Sequence, residues 1–169
     1  MINYTDYVIE VPDFPIKGVN FKDISPLLVD EHVFESTIVD MGNLVDASNN
    51  PPDCWIGIDA RGFIFAGALA THFGGWVVMC RKKGKLPPPV ESASYSLEYD
   101  VSTLQMKEGK GTVVIVDDVL ATGGRLRAEN HLANKAWYDV KDNLVLIDLK
   151  YVPTVVDLNL EVKSLIQYE

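Results

Sequence analysis

Long hydrophobic runs are missing from this 169-residue chain. No apolar stretch approaches the roughly 20 residues that a membrane-spanning helix needs. The segment from Met1 to Pro12 carries acidic and aromatic residues and does not resemble a secretory signal. Cysteine is scarce: Cys54 and Cys80 lie in or beside apolar, strand-like runs, with nothing to indicate a disulfide framework, and read as reduced core residues. His32, His72 and His131 are scattered, without Cys or carboxylate partners at metal-ligand spacing, so no protein-held metal is expected and they read as surface or interface residues. Trp55, Trp76 and Trp137 read as core or interface aromatics. Positive charge is in deficit, with 15 Lys and Arg against 24 Asp and Glu, and the net charge of −9 argues against general nucleic-acid binding. Internal repeats, low-complexity tracts and interdomain linkers are also absent. Residues 1–169 are therefore expected to form one domain of a cytoplasmic protein that is bound to neither membrane nor nucleic acid.

What the chain does contain is concentrated between residues 113 and 124. Val113-Val114-Ile115-Val116 predicts a strand buried on both faces, with Asp117 and Asp118 at its carboxyl end. The turn Ala121-Thr122-Gly123-Gly124 follows, and then a helix over residues 125–137. Open α/β sheets bind ligands at this position, outside the carboxyl ends of parallel strands. Such a turn can point several backbone N–H groups at a phosphate, aided by the dipole of the next helix. The two aspartates repel phosphate and suit sugar hydroxyls or a metal-bound sugar. The strip reads as a ribose-phosphate cradle; the plain alternative is a buried strand with a polar turn.

The remaining pattern alternates helix and strand. A helix is predicted over 31–48 from the three- and four-residue spacing of Val33, Phe34, Ile38, Met41, Leu44 and Val45. Strands are predicted at Trp55–Ile58, Trp76–Cys80, Leu144–Leu149 and Ser164–Tyr168, and a further helix over 63–73. This predicts an α/β fold, a central parallel sheet flanked by helices. Residues 1–30 make a small N-terminal hood, and 84–106 a mobile loop and β-hairpin, with Tyr95–Tyr99 pairing Ser102–Met106 over the site. The stretch 84–94, centred on Pro87-Pro88-Pro89, is expected to be extended and mobile.

The 113–124 strip resembles the phosphoribosyl pyrophosphate (PRPP) signature of type I phosphoribosyltransferases, which implies that fold. It assigns Asp117, Asp118, Ala121, Thr122, Gly123, Gly124 and Arg125 to PRPP. A negative chain must concentrate positive charge to hold such a polyanion, and Arg81, Lys82, Lys83 and Lys85 fall within five residues. That run is either a solvated surface or a pyrophosphate-facing loop. A second strand-to-helix turn, Asp59-Ala60-Arg61-Gly62, has a glycine that lets the backbone approach a ligand. In this family the corresponding turn binds pyrophosphate and often contains a non-proline cis peptide, which here would join Asp59 and Ala60. Arg61 would then neutralise the leaving group. The plain alternative makes Asp59 a helix N-cap and leaves Arg61 in solvent.

Further blocks resemble adenine phosphoribosyltransferases: Asp13-Phe14-Pro15, Gly18 to Pro26, Arg81 to Pro87, Ser94 to Tyr99 and Ser164 to Tyr168, all in the family order. The resemblance implies transfer of the phosphoribosyl group of PRPP to adenine, giving AMP and pyrophosphate, with Mg²⁺ carried by PRPP and with a homodimer completing the site. It implies that Phe21 and Val119 sandwich the purine, and that backbone groups of Asn20 and Lys22 meet the adenine edge. Glu98 would handle the proton on the N7 side, Tyr99 would help close the loop, and Lys85 would reach the pyrophosphate. Without that resemblance, Glu98 reads as an exposed hairpin charge and Lys85 as a solvated lysine.

Three positions depart from the family pattern. Arg125 stands where the family usually has threonine, and its guanidinium would either contact the phosphate or block the pocket. Pro88 replaces a usual glycine, which should stiffen loop opening. Asn20 replaces a usual apolar residue and bears on base preference. The helix after residue 126 is also unusually polar, with Arg127, Glu129, Asn130, His131, Asn134 and Lys135. Two rival readings follow: a transferase for another 6-aminopurine, suggested by Asn20, and a non-catalytic PRPP- or nucleotide-binding protein, suggested by Arg125.

Overall fold

The structure is a computed structural model and describes residues 2–96, 101–154 and 159–169. A short hairpin opens it: β1 (Ile9–Val11) pairs antiparallel with β2 (Phe21–Asp23). The connecting loop folds back on itself, with the Gly18 N–H donating to the Asp13 carboxylate at 2.7 Å. Two helices follow, α1 (Ser25–Val29) and α2 (Glu31–Leu44), the second capped by the Asp30 carboxylate, which accepts from the N–H groups of His32 and Val33. The expected helix end at residue 48 is four residues too long: after Leu44 the chain turns, and Asp46 takes a left-handed φ of 54°.

The main elements are then β3 (Cys54–Ile58), α3 (Gly62–Phe73), β4 (Trp76–Lys82), β5 (Glu91–Ser96), β6 (Val101–Met106), β7 (Thr112–Leu120), α4 (Gly124–Lys135), β8 (Asp139–Leu149) and β9 (Val162–Tyr168). The seven-stranded sheet runs β5-β6-β4-β3-β7-β8-β9. Strands β4, β3, β7, β8 and β9 are mutually parallel, as the alternation of helix and strand predicts.

The structure corrects further boundaries. β7 runs through the acidic pair to Leu120, because β8 continues beside it and pairs Asp117 with Val145 and Leu120 with Asp148. The hairpin is also more than a cap. Because β4 extends to Lys82, Arg81 and Lys82 pair antiparallel with Gln105 and Leu104 of β6, which joins the hairpin to the sheet edge. Its first strand begins at Glu91, four residues before the predicted start at Tyr95, and runs through Ser96, the last described residue before 101. Upstream of it the Pro88–Pro89 bond is cis, and the Lys107 ammonium donates to the carbonyls of Pro87 and Pro89. Glu98 and Tyr99 lie outside the described residues.

Strand alternation sorts the core into two layers. Trp55, Val114 and Val116 face Met41 of α2 and Phe65 and Leu69 of α3; Ile56, Ile58, Val113 and Ile115 face Leu132 and Ala133 of α4. Cys54 and Cys80 are buried and unbridged, and burial raises both thiol pKa values. Trp55 is fully buried, whereas Trp76 and Trp137 are exposed, as are the three histidines. No helix among the described residues is long and apolar enough to cross a membrane. β4 lies on one side of β3 and β7 on the other, so the crevice beyond the ends of β3 and β7 is the topological switch point.

Candidate active site

Three carboxylates stand at this crevice, and each meets an arginine. Asp117 and Asp118 are neighbours on one strand and therefore point to opposite faces of the sheet. Asp117 shares the α4 face with Val113 and Ile115 and is ion-paired with Arg125 from the first turn of α4. Asp118 shares the α3 face with Val114 and Val116, and its Oδ2 lies 2.6 Å from Nε of Arg61, just before α3. Asp59, which follows β3, accepts a 3.1 Å hydrogen bond from Nε of Arg81, at the end of β4. Asp117 and Asp118 are both buried. Burial pushes the Asp118 carboxyl above its usual range, opposed by the Arg61 charge.

The Asp59–Gly62 turn accordingly departs from the helix-cap reading. The residue capping α3 is Arg61, with no side-chain cap bond, while the Asp59 carboxylate faces Arg81. The Asp59–Ala60 peptide is cis, as the family resemblance implied. The close approach that Gly62 permits is to β7: a Cβ there would stand 2.6 Å from the Val116 carbonyl oxygen. Arg61 is only about one-third exposed, and its guanidinium lies 4.9 Å over the Phe21 ring with Nη1 3.5 Å from the Lys22 carbonyl. The loop thus ties the hood to the acidic pair.

In the hood, Phe21 packs edge-on against Phe14 at 5.2 Å. The side chains of Asn20 and Lys22 turn away together onto Glu10: Asn20 Nδ2 donates to it at 2.7 Å, and the Lys22 ammonium lies at 2.9 Å. Lys22 is buried with its ammonium 3.9 Å over the Tyr168 ring, which docks the hood on the last strand. The hydrogen bond from Lys22, and then that from Asn20, hold the Glu10 carboxyl below its usual range.

The Ala121–Gly124 turn reaches α4 through Gly123, whose φ of 80° is left-handed. Val119 and Ala121 are partly buried against the α2–α3 layer. Beside the turn is a cavity of about 190 Å³ whose wall includes Leu120, Ala121, Asp148, Lys150 and Val162. Asp148 is buried, and its Oδ2 lies 2.5 Å from the Lys150 ammonium. Of the basic run, Arg81 alone enters the site; Lys85 is exposed, and its backbone carbonyl accepts from Arg81 at 3.3 Å.

Arg125 stands between two carboxylates. Its guanidinium lies on Asp117, with Nε 3.5 Å from Glu129 Oε1. Glu129 is fully buried, and desolvation pushes its carboxyl up to about 7 against the opposing Arg125 charge. Sequence reasoning missed Glu129 and Asp148. The signals were there: Arg125 and Glu129 are one helical turn apart, and Asp148 ends an apolar strand run as Asp117 does.

A parallel sheet with an acidic pair and glycine turn at its switch point, matched by arginines, defines a type I phosphoribosyltransferase. Residues 41–137 match the family described as the phosphoribosyl transferase domain. Adenine phosphoribosyltransferase of Bdellovibrio bacteriovorus is 42% identical over 160 residues, spanning 94% of this chain and 95% of that protein. The crystal structure of adenine phosphoribosyltransferase from Thermoanaerobacter pseudethanolicus is 34% identical and covers 98% of each chain with a TM-score of 0.87. The Giardia lamblia enzyme, complexed with 9-deazaadenine, is 27% identical and covers 99% of this chain and 97% of its own, with a TM-score of 0.86. The chain belongs to the adenine phosphoribosyltransferase family.

Proposed function

We propose that the three arginine-matched aspartates form the centre at which this adenine phosphoribosyltransferase joins adenine to the phosphoribosyl group of PRPP, giving AMP and pyrophosphate in purine salvage. The observation that carries this location is the pairing itself: Asp59 with Arg81, Asp118 with Arg61 and Asp117 with Arg125. Each of the three aspartates thus has an arginine beside it at the place a polyanion must enter. Arriving PRPP exchanges carboxylates for phosphate oxygens as the partners of the arginines, while ribose hydroxyls take up the freed Asp117 and Asp118. The phosphates keep the arginines charge-paired, and the hydroxyls keep the two buried carboxylates hydrogen-bonded.

Arg61, backed by Arg81 and Lys85, meets the pyrophosphate at Asp59–Gly62, and the 5′-phosphate sits on the N–H groups of Ala121–Arg125. When Arg61 moves to the pyrophosphate it leaves the Phe21 ring, whose face then takes the purine against Val119. Backbone groups of Asn20 and Lys22 meet the adenine edge. Glu98 holds the proton on the N7 side while N9 attacks C1′, and Tyr99 helps close the loop over an oxocarbenium-like transition state from which water is excluded. Mg²⁺ carried on PRPP supplies further charge neutralisation of the leaving group. The carboxylate oxygens of Asp117 and Asp118 are hard donors of the kind that ion accepts.

A homodimer fits one exposed surface. On β4 the buried Val78 and Cys80 alternate with the exposed Val77 and Met79, and Trp76 beside them is exposed too. Such an apolar strip suits a second copy of the chain. The cytoplasm is the compartment this reading expects.

The test is pyrophosphate release from PRPP and Mg²⁺ with adenine, hypoxanthine, guanine or no base. Release that requires adenine supports the reading; none with any base would sink it. Arg125 on Asp117 favours one second reading, a PRPP-binding protein that consumes nothing. That reading predicts binding without turnover, and turnover restored by Arg125→Thr would identify a disabled transferase.

A further inference from the structure

The first two turns of α4 hold a charge arrangement that the reading above leaves unused. Arg125 divides its guanidinium between two carboxylates, one end on Asp117 and Nε 3.5 Å from Oε1 of Glu129. The Glu129 side chain is 1% exposed, and neither of its carboxylate oxygens has a hydrogen-bond partner among the described residues. A carboxylate without water or hydrogen bonds depends on its counter-charge. Among the described residues Arg125 is the one cation at ion-pair distance from it. The dependence is unequal, since the Arg125 side chain is 38% exposed and has Asp117 as well.

We infer that Glu129 is a positioning residue that keeps the guanidinium of Arg125 beside the Ala121–Gly124 turn, where it becomes a side-chain ligand for the 5′-phosphate of PRPP and AMP. This rests on the placement of that phosphate in the turn, proposed above. Ribose hydroxyls that take Asp117 release one end of the guanidinium, and Glu129 still holds the other. The freed N–H edge then faces the same anion as the backbone donors of the first turn, which suits a forked phosphate contact. The i, i+4 spacing puts both side chains on one face of α4, so the carboxylate lies one turn beneath the guanidinium. Without Glu129, no other carboxylate among the described residues is at ion-pair distance to retain Arg125 once Asp117 is engaged.

The experiment compares AMP with adenosine, which differ by the 5′-phosphate alone, by titration calorimetry on the full chain. The wild type is expected to prefer AMP. Glu129→Gln is expected to weaken AMP about tenfold while adenosine changes less than about twofold, the loss anticipated for one charge-assisted hydrogen bond. KM for PRPP should carry more of the loss than kcat. Arg125→Ala should give the same selective loss, and adding Glu129→Gln to it should weaken AMP no further. If Glu129→Gln fails to fold, Glu129→Asp replaces it and should keep part of the AMP preference. AMP and adenosine weakened equally, AMP unaffected, or independent effects in the double variant would each overturn the role of Glu129. A wild type that binds both equally would instead overturn the phosphate site itself, and adenine-dependent turnover tests the transferase reading separately.

Discussion

Arg61 lies 2.6 Å from Asp118 and, with the same guanidinium, 4.9 Å over the Phe21 ring. One side chain thus covers both the carboxylate proposed for the ribose and the aromatic face proposed for the purine. The proposed move of Arg61 to pyrophosphate uncovers both. Arg61→Ala is therefore expected to lower kcat/KM by about 100- to 1,000-fold, the loss typical of one group that stabilises developing charge. Arg61→Lys should recover only part of it, because a point charge does not reproduce the planar fork. Pyrophosphate release under varied PRPP measures both variants; full activity in Arg61→Ala would remove the residue from the mechanism.

Glu98 is the group proposed to manage the purine proton. Glu98→Ala is expected to reduce turnover by about two to four decades while thermal melting stays near the wild-type value. Steady-state rates and a melting curve on the same preparation separate lost chemistry from lost fold. Unchanged turnover would return Glu98 to the role of a hairpin surface charge.

Burial of Glu129 makes stability depend on pH in a defined direction. Its folded-state carboxyl is raised from an ordinary 4.5 to about 7. Below about 4.5 the group is protonated whether folded or unfolded, and no penalty arises. Between those values the folded state keeps a proton that the unfolded state releases, so stability falls as pH rises, with the full penalty present above about 7. Glu129→Gln removes this titration. Denaturant unfolding at pH 5 and pH 8 should show the variant gaining on the wild type at the higher pH, by up to about 3 kcal/mol. Equal gaps at the two pH values would mean that the carboxyl titrates normally.

The exposed strip on β4 predicts self-association. Met79→Glu places a charge in the middle of that strip and is expected to shift the chain from dimer toward monomer in sedimentation velocity. Activity should decline in parallel if a partner completes the site. A wild-type chain that sediments as a monomer at micromolar concentration would exclude this interface.

The elements that the sequence announced most clearly are those whose signal is local. Val113–Val116 is apolar on both faces because helices cover both faces of the sheet, and the adjacent aspartates and glycine turn advertise the ligand crevice. Boundaries were less legible. Whether β7 stops at Val116 or continues to Leu120 depends on the neighbouring β8, and the hairpin's place at the sheet edge depends on two residues at the end of β4. The α3 cap was misassigned in the plain reading of Asp59, because nothing local reveals that Arg81, 22 residues later, claims its carboxylate.

The sequence by itself determined the α/β class, the acidic pair and the glycine turn, since these rest on periodicity and contiguous residue types, and its motifs carried the resemblance to the family. The tertiary structure decided which arginine meets which aspartate. Alternation along β7 sends Asp117 and Asp118 to opposite faces, and only the packing of α3 and α4 on those faces brings Arg61 to one and Arg125 to the other. It also decided that Glu129, one more polar residue in a polar helix when read from sequence, is a buried carboxylate beneath Arg125. Charge pairing at a crevice is set by chain segments that are distant in sequence, so it becomes visible only once the sheet has assembled.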